Sequence, residues 1–270
     1  MFFFSLLGYQ IKFELNFTTI ENIVFYRSFF GTILLLFFFF FKNLHPQIKK
    51  IVSKNFWLHL LRSIFGVMAM YFGYNSLNYL TLSQASTVSF TKVFFSSILA
   101  FIIFKEKISL KIFFLLIFGL LGVILISEPQ QFENNLGLYM ALFSSLCVSG
   151  GIISISYLTK LEDTNNILLY HSFFSSIIFF LLFNQQIVFS YSSNYLSYMM
   201  ITFTAIVAQY FNTESYKNNK TSKVMLMSYS RIVFSTAFGF FFLGETLSFY
   251  NILGICLIIF TSFLIQGKST

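Results

Sequence analysis

The chain is a near-continuous succession of apolar runs about twenty residues long, separated by short polar breaks, and this pattern identifies its solvent. A bilayer core about 30 Å thick requires roughly 20 apolar residues per helix, and backbone facing lipid has to satisfy its own hydrogen bonds. The runs therefore read as spanning helices near residues 20–41, 56–79, 84–104, 110–127, 136–158, 164–183, 195–216, 222–243 and 247–266. The stretch 1–13 is apolar but too short to cross alone. It reads as an interfacial piece or as the end of a truncated first span. No basic region precedes it and no small-residue cleavage site follows it, which argues against a signal peptide.

Composition agrees with a lipid solvent: 57% of residues are hydrophobic and 10% charged, against about 25% charged in soluble domains. The net charge of +8 does not point to nucleic acid, because the basic residues sit in short segments between apolar runs rather than on one solvated face. Cys147 and Cys256 lie inside apolar runs without metal-ligand spacing, so neither a disulfide nor a zinc site is expected. The expected fold is an all-α integral membrane protein of about ten helices.

Lys and Arg in short loops mark the cytoplasmic side. With the Met1 segment numbered span one, Lys42, Lys49, Lys50, Lys54 and Arg62 flank spans two and three, and Lys105, Lys107 and Lys111 follow span four. Lys160 follows span six, Lys217, Lys220 and Lys223 follow span eight, and Lys268 ends the sequence. The opposite loops carry Glu14, Glu21, Glu128, Glu133 and Glu245, with Lys12 their one candidate cation. The expected location is the cell inner membrane, multipass, with both termini cytoplasmic.

The chain also resembles itself. The run from Asn22 to Phe30 returns from Asn166 to Phe174, at an offset of 144, and Tyr26-Arg27-Ser28 meets Tyr170-His171-Ser172. Further on the offset is 139: Ser89 meets Ser228, Lys92 meets Arg231, Ser96 meets Ser235 and Glu106 meets Glu245. Shared polar positions argue against chance similarity of Phe-rich helices. Five spans is an odd number, so a second copy enters the bilayer upside down, an arrangement that recurs in secondary transporters with a midplane site. The halves read as residues 1–130 and 134–268, the second inverted.

Gly8 with Lys12, the segment Phe25-Tyr26-Arg27-Ser28, and the paired ends Phe90 to Glu106 and Ser228 to Glu245 together resemble the drug/metabolite transporter superfamily, in particular its EamA-type ten-helix permeases. Within that family the resemblance runs toward permeases described as S-adenosylmethionine uptake-like or metabolite exporters. The resemblance implies a central cavity formed by spans one to four and six to nine, supported by spans five and ten. The sequence departs from the family at Val93 and Ile232, where members commonly carry Pro, which puts a Pro kink there in doubt.

Ionisable residues deep in a bilayer cost about 2.5–3.5 kcal/mol on insertion scales and so face a cavity or a partner. Arg27 with His171, and Lys92 with Arg231, are the symmetry-related candidates, the second pair near the midplane. Helical spacing places Ser89 and Ser96 on the stripe of Lys92, and Ser228 and Ser235 on that of Arg231, as the wall of a hydrated path. Tyr74 and Gln209 could add hydrogen bonds, as could Tyr71, Asn75 and Tyr210. Glu214 is the nearest carboxylate to these cations, while His45 and His59 read as solvated boundary residues. A positive midplane favours an anionic or zwitterionic solute, with Arg offering a bidentate grip.

The resulting expectation is a secondary transporter, not an enzyme, moving a small metabolite such as an amino acid or nucleoside-derived compound by alternating access. A lipid-modifying enzyme and a non-transporting subunit are the alternatives, the first weakened by the few clustered His, Asp and Glu and the second by the cost of a charged midplane stripe that it would not need. The expected partners are a small-molecule metabolite and the lipid bilayer, with a homodimer left open. No nucleic acid, cofactor or metal is expected.

Overall fold

The computed structural model describes residues 1–42, 53–104, 135–187, 195–219 and 230–244, with shorter stretches between 114 and 125, 223 and 228, and 248 and 260. The expected spans at 110–127 and 247–266 lie mostly outside these residues, as do the boundary at 130–134 and Glu106, Glu245 and His45.

The described residues form helices in the order α1 (Phe2–Glu14), α2 (Ile20–Lys42), α3 (Phe56–Asn75), α4 (Leu82–Val88), α5 (Thr91–Phe104), α6 (Asn135–Leu158), α7 (Thr164–Phe183), α8 (Tyr195–Asn218) and α9 (Ser230–Leu243). A single turn of tighter helix, Ser76–Asn78, follows α3. Among the described residues five helical segments are long and apolar enough to cross a membrane: Ile20–Phe40, Phe56–Asn78, Gln84–Ile103, Leu136–Leu158 and Thr164–Phe183. These match five of the expected spans to within a residue or so. The third of them is not one continuous helix, however, because α4 and α5 are separated by a turn at Ser89 and Phe90.

The bundle is apolar outside and polar inside. Phe37, Phe40, Phe203 and Phe241 are exposed, whereas Ser145, Ser149, Ser175 and Thr202 are completely buried. Lipid solvates Phe as well as another side chain does, so helices associate through close backbone approach and hydroxyl hydrogen bonds. The Phe65 ring lies 2.9 Å from where a methyl on Gly150 would sit, and Ser144 Oγ occupies the corresponding space beside Gly73. Ser144 also donates to the Ala69 carbonyl at 2.8 Å, locking α6 onto α3.

The pairings follow a regular scheme. α3 packs on α6 and α1 on α8; α5 packs on α6 and α1 on α9; α3 packs on α7 and α2 on α8. Two further contacts, α2 with α7 and α4 with α9, complete the set. Exchanging α1, α2, α3 and α5 for α6, α7, α8 and α9 maps these contacts onto one another or onto themselves, except α4 with α9, which has no counterpart among the described elements.

Candidate functional site

A cavity of about 250 Å³ runs through the bundle, touching α1 to α9. Along α3 its wall extends past Arg62, Gly66, Met70 and Tyr74 to Leu77, about 22 Å at 1.5 Å per residue. Arg27, Lys92, His171, Arg231, Ser89, Ser228, Tyr74 and Gln209 all line it, so the eight residues singled out from the sequence converge on one space.

Lys92 and Arg231 enter this space just after backbone turns, at the starts of α5 and α9. The Lys92 N–H reaches only the Ser89 carbonyl, three residues back, at 3.3 Å, and the Arg231 N–H reaches that of Ser228 at 3.0 Å. Neither turn contains Pro. Hydroxyls take its place by satisfying nearby carbonyls: Ser89 donates to Ser86 at 2.7 Å, Thr91 to Val88 at 2.9 Å, and Ser230 to Met227 at 2.9 Å. Non-helical backbone is tolerated at membrane depth where it lines a cavity and its polar groups are satisfied in this way.

Each of these two points is held by a serine of another helix. Ser5 of α1 donates to the Arg231 carbonyl at 2.9 Å, and Ser149 of α6 donates to the Lys92 carbonyl at 3.1 Å. Ser5 and Ser149 are 144 positions apart, the same offset that relates Arg27 to His171.

The cations differ in how they are held. Lys92 Nζ lies 5.0 Å over the Phe90 ring, and the Arg231 guanidinium lies 5.6 Å from the Phe4 ring. The Nε of Arg231 is buried and has no hydrogen-bond partner among the described residues. Arg27 donates to the Tyr74 hydroxyl at 2.5 Å. His171 stacks directly on Gly66, where a methyl would overlap its ring, and its Nδ1 lies 3.3 Å from Ser175 Oγ. No carboxylate lines the cavity among the described residues.

Several expectations are corrected here. Arg62 is not a boundary cation: it is 4% exposed and lines the cavity. Ser96 and Ser235 are completely buried and absent from the wall; Ser96 donates to the Lys92 carbonyl and Ser235 to Ser5 at 3.2 Å. Tyr71 stacks on Phe183 with ring centroids 4.9 Å apart, Asn75 donates to the Tyr71 carbonyl, and Tyr210 is exposed, so none of these three lines the cavity. Glu214 is engaged by Thr164 Oγ1 at 2.5 Å rather than by a cation of the cavity.

His59 is fully buried rather than solvated. Its Nε2 lies 2.9 Å from Glu162 Oε2, and its ring stacks on Tyr170 at 4.4 Å. Glu162, in the α6–α7 connection, also accepts from Ser53 and from Asn55 Nδ2. Burial pushes the Glu162 carboxyl upward, but the hydrogen bonds from Ser53, Asn55 and His59 outweigh it and hold the group below the usual carboxylate range. This cluster ties the start of α3 to the α6–α7 connection.

Comparison with known proteins assigns the class. The EamA-like transporter family model matches residues 1–128 and again 135–266, and the chain belongs to that family. An uncharacterized transporter of Helicobacter pylori is 28% identical over 260 residues, covering 92% of this chain and 85% of that one. The pseudopaline exporter CntI of Pseudomonas aeruginosa is 22% identical over 261 residues, covering 96% and 90%. A solved crystal structure shares the fold with a TM-score of 0.76 at 13% identity, over 99% of this chain and 97% of that one. The protein is an integral membrane transporter.

Proposed function

We propose that the protein is a secondary transporter whose two five-helix halves, inverted with respect to each other, carry a small anionic or zwitterionic metabolite by alternating access through the cavity. The observation that carries this reading is the placement of Lys92 and Arg231 at two backbone turns that open onto one cavity, with α4 packed on α9. Interrupted helices are where secondary transporters build their sites. The exchange scheme of the helix contacts and the paired serine hydrogen bonds support two equivalent halves that rock about a fixed centre.

Lys92 and Arg231 bind the anionic group of the solute, Arg231 bidentately. Arg27, His171, Tyr74, Gln209, Ser89 and Ser228 complete the wall. The cation distribution supports cytoplasmic termini in an inner membrane, the N-terminal end of α3 facing the cytoplasm.

The test is uptake of labelled amino acids, nucleosides and S-adenosylmethionine into vesicles containing the protein, with Lys92→Ala and Arg231→Ala as controls. Saturable movement of one solute class, reduced at least tenfold by each substitution, is the expected outcome. Recovery of a chemically altered solute would move the reading to an enzyme.

A further inference from the structure

Arg62 was read from the sequence as one of the loop cations, and the structure places it among the most deeply buried charges of the described chain. It is 4% exposed, it lines the cavity, and its Nε has no hydrogen-bond partner among the described residues. One turn further along α3, Gly66 carries the His171 imidazole directly on its backbone. Another two turns on, Tyr74 receives the Arg27 guanidinium. Arg62, His171 over Gly66 and Arg27 against Met70 and Tyr74 all line the same cavity. Together they form a second cationic set, contributed by α2, α3 and α7.

The first set, Lys92 and Arg231, opens onto the same space. The Arg231 guanidinium sits 3.8 Å from where a methyl on Gly8 would project, beside α1, and Lys92 lies within the field of Arg231. α6 gives the relative levels along the bundle. Its Gly150 meets Phe65 of α3, three residues from Arg62, while its neighbour Ser149 holds the Lys92 carbonyl. Arg62 therefore lies about one helical turn, roughly 5 Å, beyond the Lys92 backbone. From Arg62 to Tyr74 the cationic wall covers twelve residues of α3, about 18 Å.

Burying one unpaired arginine in a membrane protein is expensive, and burying several without a carboxylate among the lining residues is more so. A solute with one negative charge leaves most of these basic groups unmatched, and a zwitterion adds an ammonium to them.

We infer that the cavity is built for a solute carrying two negative charges, held among Lys92, Arg231, Arg62, Arg27 and His171: a dicarboxylate or a phosphorylated acid rather than a monoanion or a neutral amino acid. This inference rests on the transport reading above and narrows its substrate class.

The experiment is binding to the full-length purified protein in detergent, followed by thermal shift and calorimetry in gluconate buffer, with two matched pairs: succinate against butyrate, and phosphoserine against serine. Succinate or phosphoserine is expected to bind at least tenfold more tightly than its partner, the better of the two distinguishing carboxylate from phosphate. Arg62→Gln is expected to remove that preference while leaving the weaker, single-charge binding; Arg62→Lys, which keeps the charge, retains most of it.

Equal affinity within both pairs, or binding of none of the four, overturns the inference. So does a folded Arg62→Gln protein with an unchanged preference, or saturation by chloride alone with no gain from the dianions. Vesicle uptake separates this failure from a wider one. If a monoanion or zwitterion still moves in a manner dependent on Lys92 and Arg231, the transport reading stands and only the two-charge inference falls.

Discussion

The hydroxyl of Ser149 donates to the carbonyl of Lys92 at 3.1 Å, joining α6 to the start of α5, just past the turn that separates it from α4. Ser5 does the same for Arg231 at 2.9 Å. Hydrogen bonds between helices in a membrane contribute about 0.6 kcal/mol on average and up to about 1.7 kcal/mol. Ser149→Ala and Ser5→Ala are each expected to lower the melting temperature of the detergent-solubilised protein only slightly. Both should reduce solute uptake by a larger factor, because each hydroxyl fixes the backbone from which a cation projects. Thermal denaturation and vesicle uptake of the same preparations check this; a loss of uptake no greater than the loss of folded protein would contradict it.

Gly66 is required by the His171 ring. A methyl at Gly66 would overlap the imidazole, and overpacking of this kind costs about 1–3 kcal/mol. Gly66→Ala is therefore expected to be destabilising, and His171→Ala, by clearing the space, to restore most of that stability in the double variant. Melting temperatures of the two single variants and the double variant measure the coupling. Additive losses would show that the ring and the glycine do not meet.

The Glu162 cluster predicts a pH dependence of stability. The Glu162 carboxyl is held below its ordinary value by Ser53, Asn55 and His59, so its contribution is present in full above the unfolded value of about 4.3 and is lost as pH falls through the lower, folded one. Glu162→Gln leaves buried donors poorly matched, at a cost of about 1–3 kcal/mol. The stability gap between wild type and Glu162→Gln is expected to be constant near pH 7 and to narrow below pH 4. A gap that persists unchanged at pH 3 would contradict this assignment.

The spans were legible because twenty consecutive apolar residues permit few structures other than a crossing helix. The pair Lys92 and Arg231 was legible because a cation in the middle of such a run has no neutral explanation. Arg62 was not, since it follows the start of α3 by only six residues, and a count of flanking cations assigns any such residue to the boundary. Whether it turns inward or toward the headgroups depends on what α6 and α7 place beside it.

The interruption at Ser89 and Phe90 was equally hidden, because no Pro marks it and the hydroxyls that stabilise it also occur in unbroken helices. Ser96 and Ser235 share the stripe of the cations, but Ser96 bonds the Lys92 carbonyl and Ser235 the Ser5 hydroxyl instead of facing the cavity. Periodicity locates a face; it does not distinguish a face turned to water from one turned to a neighbouring carbonyl.

The central claim is that the cavity beside Lys92 and Arg231 is the path of the solute. Ser89→Cys and Ser228→Cys, introduced singly into a Cys147→Ser, Cys256→Ser background and treated with a membrane-impermeant maleimide, test it most directly. Both positions are expected to be modified from either face of oriented vesicles, and a transported solute is expected to slow the modification. Reaction only with a lipid-soluble reagent, or from one face regardless of solute, would contradict the account.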